Sequence, residues 1–150
     1  MTQQDARKSY KALIVDDSAD VRLLMGKTLR AAGFNAVEAT DGDEVISASL
    51  SYEPDIILLD TNMQRMDGFK ALALLKRDVR LREIPVIMVS AKSHPDDLET
   101  AKSLGAQDFV TKPWSPGEVE LRCQWAISAA ERRRKKLTGG TDLSQQKLAS

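Results

Sequence analysis

The chain has 150 residues, 42% of them hydrophobic and 29% charged, which suits one globular domain built on its own core. Its 22 Lys and Arg balance its 22 Asp and Glu, so net charge gives no signal for nucleic acid or a membrane surface. The single cysteine, Cys123, excludes an internal disulfide, and no apolar run approaches the roughly 20 residues of a membrane span.

The N-terminus, MTQQDARKSYK, has no apolar signal core, so a cytoplasmic domain is expected, with residues 1–10 as a flexible segment. Short apolar runs then alternate with helical patterns, at residues 12–15, 36–37, 56–59, 85–89 and 108–110. After the first run, Val21, Leu24, Met25, Leu29 and Ala32 recur at helical spacing, with Ser18 or Asp17 as the cap and Gly33 as the stop. The second run is weak and reads as an edge or near-edge strand, followed by Thr40 or Asp41 at the next helix start. IILL and VIMV are almost uninterrupted, as expected for central strands buried on both faces. Met66 and Asp67 precede the third helix, and Pro95 and Asp96 the fourth, which Gly105 closes. Ser115 and Pro116 open the fifth. On that helix Val119, Cys123, Ala126, Ile127 and Ala130 share one face, while Leu121 and Trp125 point roughly the opposite way. Five cations at 132–136 read as a solvated helical extension rather than a nucleic-acid contact, and LTGGTDLSQQKLAS reads as a flexible tail. The expected division is a domain over 11–130 and a basic extension plus tail over 131–150.

Five βα units imply a doubly wound parallel α/β sheet with helices on both faces. Ligands of such sheets collect at the carboxyl ends of the strands. There stand Asp16 and Asp17 after the first strand, Asp60 after the third, Ser90 after the fourth and Lys112 after the fifth. Three carboxylates in close company disfavour one another's ionised forms and need a cation. Hard oxygen ligands suit Mg²⁺, and the lone His94 reads as structural or solvated. A lysine and a hydroxyl opposite a metal-bound carboxylate form a clamp for a transferring phosphoryl group, and a carboxylate can itself be the nucleophile.

LIVDDS, LLDTNMQRMDGF, PVIMVSA and GAQDFVTKPW, spread over about residues 11–130, closely resemble the receiver domains of bacterial two-component response regulators, especially the chemotaxis-type single-domain regulators. The resemblance implies a flavodoxin-like strand order 2-1-3-4-5 and a signalling switch phosphorylated on Asp60 by a histidine kinase or phosphotransfer protein. It implies Mg²⁺ held by Asp17 directly, by Asp16 often through water, by Asp60 and by the carbonyl of Asn62. Ser90 would hydrogen-bond the phosphoryl group, Lys112 would pair with it, and the Lys112–Pro113 bond would be cis. Phe109 would be the switching aromatic coupled to Ser90, and Asn62 and Lys92 would flank the hydrolytic water. The fourth helix, fifth strand and fifth helix would form the output surface for a protein target or a second copy, and Leu121 and Trp125, beside Trp114, are placed in it.

Two residues depart from the pattern. Gln64 stands where proline is usual, which predicts a looser loop after Asp60. Phe109 stands where tyrosine is common and lacks its hydroxyl. Other readings fit less well. An aspartyl-nucleophile phosphohydrolase needs a second carboxylate where Asn62 stands. A flavodoxin-like cofactor binder needs a phosphate loop where Asp16 and Asp17 stand. A constitutive interaction module has no use for the full acidic, hydroxyl and lysine set. Catalysis is expected only on the domain itself, as its own phosphorylation and slow dephosphorylation.

Overall fold

A strand covered on both faces needs continuous apolar residues, and the computed structural model puts such runs at the centre of the sheet. It describes residues 9–91 and 95–149, with side chains to Leu137; Lys92, His94, residues 1–8 and the side chains beyond 137 lie outside the described residues. The strands are β1 (Lys11–Val15), β2 (Asn35–Ala39), β3 (Ile56–Asp60), β4 (Val86–Ser90) and β5 (Asp108–Thr111). All are parallel, in the order β2-β1-β3-β4-β5. Every residue of β3 and β4 is buried, whereas β2 at the edge exposes Asn35, Val37 and Glu38.

The helices are α1 (Ala19–Ala31), α2 (Val45–Tyr52), α3 (Gly68–Arg77), α4 (Pro95–Ser103) and α5 (Glu118–Ala149). Alternate residues of each strand serve opposite faces. Ala12, Ile14, Leu58 and Val89 pack with Met25 and Leu29 of α1 and Val119, Cys123 and Ile127 of α5. Leu13, Leu59 and Met88 pack with Val45, Leu72, Leu75 and Ala101 of α2, α3 and α4. A fully buried side chain such as Leu72 is worth about 3 kcal/mol against alanine.

The helix ends follow their sequence signals. Ser18 Oγ accepts the Val21 N–H at 3.3 Å, and Asp67 caps α3 by accepting the Phe69 N–H at 2.7 Å. Gly33 and Gly105 sit at φ +96° and +98°, just beyond α1 and α4. The apolar face of α1 is narrower than its spacing predicts. Met25, Gly26 and Leu29 face the sheet, Leu24 is 55% exposed on the flank, and Ala32 falls at the C-cap. On α5 the expected inner face is buried, and Leu121 and Trp125 are exposed. The packing face ends at Ala130, but the backbone stays helical through the basic run and the segment read as a tail. Arg, Lys and Leu favour a helix without help from packing.

Candidate functional site

The strand order reverses between β1 and β3, and the crevice this opens at their carboxyl ends is where an α/β sheet holds its ligand. Val15 pairs with Leu59 in register, so Asp16 and Asp60 emerge side by side. Both are buried, at 3% and 4% exposure, while Asp17 is exposed. Carboxylate oxygens of Asp16, Asp17 and Asp60 lie within 4.8 Å of one another. Ser90 closes β4 as a buried residue, and the Lys112 N–H donates to its carbonyl at 2.7 Å. The sequence-predicted set is therefore brought together around an open cleft of about 490 Å³.

Lys112 is not simply opposite the acidic pair. Its ammonium donates to Asp16 Oδ2 at 2.8 Å and to Asp60 Oδ1 at 3.2 Å, so it bridges the two buried carboxylates. Burial works against its charge, but the bonds and attraction from Asp16 and Asp60 outweigh that and raise its pKa. Asp60 is also raised. Burial comes first and the charge of Asp16 second, and together they exceed what Lys112 and the N–H of Asn62 return. A carboxylate so placed gains from any added cation, and three convergent carboxylates are the donor set a hard divalent ion takes.

The acidic turn is held from behind. Asp16 Oδ1 accepts the Ser18 N–H at 2.9 Å, and the Asp16 carbonyl accepts from the Arg22 guanidinium at 2.8 Å. At Gly68 the start of α3 presses on the acceptor strand. A Cβ there would overlap the carbonyl of Asp60 and stand 2.8 Å from Thr61 Cα. Only glycine permits that approach. The Lys112–Pro113 bond is cis.

The remaining predicted residues lie further out. Phe109 is half-buried against the α2–α3–α4 side and borders a groove of about 240 Å³ with Leu98 and Ala101 of α4. Ser90 continues the alternation of Val86 and Met88 toward that same side. Trp114 is half-buried against the α1–α5 core, whereas Leu121 and Trp125 project at 43% and 59% exposure. Burial pushes the Cys123 thiol up to about 12, which leaves it no nucleophilic role.

Sequence reasoning missed three contributors. Asp67 and Asp97 line the cleft mouth, although only the helix-start role of Asp67 was legible. Asp41, expected with Thr40 only at a helix start, is buried and accepts the backbone N–H groups of Arg65 and Met66, both at 2.9 Å. Burial alone would raise its pKa, but these amides reverse that and hold it below the usual carboxylate value. The loop carrying Gln64 is thus tied to Asp41 through the amides of Arg65 and Met66.

A doubly wound sheet with buried carboxylates and a lysine at its switch point defines a class of phosphoryl- or metal-handling α/β domains. Residues 12–124 match the response regulator receiver domain family, and the chain belongs to it. It is 37% identical over 112 residues to the phosphate regulon transcriptional regulatory protein PhoB of Klebsiella pneumoniae, covering 75% of this chain and 49% of that protein. It is 31% identical over 121 residues to the alkaline phosphatase synthesis transcriptional regulatory protein PhoP of Bacillus subtilis, covering 81% and 50%. The chain thus spans about half the length of these curated relatives. Among solved structures, the chemotaxis protein CheY4 of Vibrio cholerae aligns with a TM-score of 0.75 at 28% identity, over 79% of this chain and 99% of that one. Membership of this family implies phosphorylation-dependent signalling. Among the described residues no helix is long and apolar enough to cross a membrane.

Proposed function

We propose that the domain, residues 11–130, is a switch that accepts a phosphoryl group on Asp60 from a histidine kinase or phosphotransfer protein in the cytoplasm. The observation that carries this reading is Asp60 itself, buried at the sheet's switch point, bonded to Lys112, with Asp16 and Asp17 beside it. An oxygen of Asp60 bonds to phosphorus as the donor's phosphorus–nitrogen bond breaks, and the electron pair leaves with the imidazole. Lys112 Nζ neutralises a phosphoryl oxygen, and the Ser90 hydroxyl donates to another. Asp16, Asp17, Asp60 and the carbonyl of Asn62 would hold Mg²⁺, which when bound supplies positive charge against the charge gathered on the phosphoryl group.

Phosphorylation removes Asp60 from its bond to Lys112 and draws Ser90 inward. Phe109, on the same side of the sheet, then turns toward the space vacated. The surface of α4, β5 and α5 changes population between two states, and Leu121 and Trp125, beside Trp114, meet a protein target or a second copy. Incubation with a small acyl phosphate and Mg²⁺ tests the reading. Intact mass should rise by one phosphoryl group in the native protein and stay unchanged in Asp60→Asn. An unlabelled native protein would refute it.

A further inference from the structure

A further buried carboxylate takes no part in these steps. Asp41 lies between β2 and α2 and is as deeply buried as Asp60, yet both its oxygens point at another loop. They accept the N–H of Met66 on Oδ1 and of Arg65 on Oδ2, each at 2.9 Å, across 24 to 25 residues of sequence. Both amides belong to the loop that follows Asp60. At its other end the Thr61 N–H donates to the Val89 carbonyl at 3.1 Å, and the Gly68 N–H donates to the Thr61 carbonyl at 3.1 Å. Gly68 itself lies against the Asp60 carbonyl, which a Cβ on it would overlap. The two loops also interlock sterically, since a Cβ at Gly42 would meet the Met66 carbonyl at 3.1 Å and Met63 Cε at 3.2 Å.

We infer that Asp41 is a positioning residue for the nucleophile: by holding residues 65 and 66 it keeps Gly68 bonded to Thr61 and seated against the Asp60 carbonyl, and so fixes the main chain from which the Asp60 carboxylate projects. The inference rests on Asp60 being the phosphoryl acceptor. The clamp grips backbone, not side chain. The Arg65 guanidinium instead reaches Asp43 at 3.2 Å and only approaches Asp41 at 4.0 Å. Without Asp41, two part-buried N–H groups lose their acceptor, the turn relaxes, and the seating of Gly68 on Asp60 loosens with it. Orientation is where phosphoryl transfer is sensitive, because this chemistry is mostly positioning and charge.

The test uses the full chain, a small acyl phosphate and Mg²⁺, with labelling followed by intact mass at temperatures where circular dichroism shows each variant folded. If native protein does not label, the acceptor reading fails and this inference falls with it. If native protein labels, Asp41→Ala should label about ten- to a hundred-fold more slowly, the scale on which sub-ångström misplacement acts. Asp41→Asn keeps one acceptor oxygen and should fall between the two, and it carries the test if the alanine variant does not fold. Arg65→Ala keeps the gripped N–H and should stay within about two-fold of native. The readout that a mere staple would not move is the Thr61 amide, next to Asp60 and bonded to the Val89 carbonyl, whose NMR shift should change and whose hydrogen exchange should quicken in the folded variants. Folded Asp41 variants that label at the native rate, or that leave the Thr61 amide unmoved, overturn the inference.

Discussion

Asp41 and Asp60 are both aspartates, both at most 4% exposed, and Asp41 is hydrogen-bonded to the loop that follows Asp60, yet their surroundings drive them in opposite directions. Asp41 is met by backbone N–H groups, whose dipoles favour its charge and do not depart. Asp60 is met by Asp16 and shares its one lysine with it. The first carboxylate is held below its usual pKa and the second above it, once burial has raised both. Burial therefore does not mark a carboxylate as reactive. Whether its neighbours leave unspent negative charge does.

The sharpest way to break this contrast is to neutralise each aspartate in turn. Asp60→Asn should abolish phosphoryl acceptance and, without divalent cation, raise the melting temperature. Because the folded pKa of Asp60 lies above the unfolded one, its cost grows as pH rises from about 4, the unfolded value, through the raised folded value. The gain in Asp60→Asn should follow that window, growing as pH rises from about 4 through the raised folded value. A lower melting temperature at pH 7 would mean that Asp60 is satisfied like Asp41. Next in size is Gly68→Ala, which drives a Cβ into the Asp60 carbonyl and should cost about 3 kcal/mol in urea unfolding, against about 1 kcal/mol for Gly42→Ala.

The pH dependence of Asp41 runs the other way. Its folded pKa lies below the unfolded one, so its contribution is present above about pH 4 and is lost as pH falls through the folded value. Asp41→Asn should be less stable than native protein at pH 6, with the gap narrowing in acid. A gap that widens in acid would contradict a lowered pKa for Asp41. Smallest in stability is Trp125→Glu, expected within about 0.5 kcal/mol because the ring is 59% exposed. Its effect should fall on target binding or self-association, compared with and without phosphorylation by light scattering. No change in either would remove Trp125 from the output surface.

The sheet was legible because IILL and VIMV have no polar interruption and leave a strand no exposed face. The site was legible because its members each follow a strand, and a parallel sheet gathers such positions at one rim. What escaped notice depends on tertiary approach. The sequence places Asp41 before a helix but carries no sign that its oxygens reach residues 65 and 66. Spacing put Leu24 on the inner face of α1, whereas the helix turns Met25, Gly26 and Leu29 inward. Lys112 was expected across from the acidic pair, and its bond to Asp16 follows from how β5 lies against β4 rather than from any motif.

Which aspartate takes the phosphoryl group decides the function most directly. After labelling with a small acyl phosphate and Mg²⁺, borohydride reduces an aspartyl phosphate to homoserine, and tandem mass spectrometry of the digested protein locates it. Homoserine at position 60, with Asp16, Asp17 and Asp41 intact, is the predicted result. Homoserine at any of those three, or label that borohydride leaves on a different side chain, would contradict it.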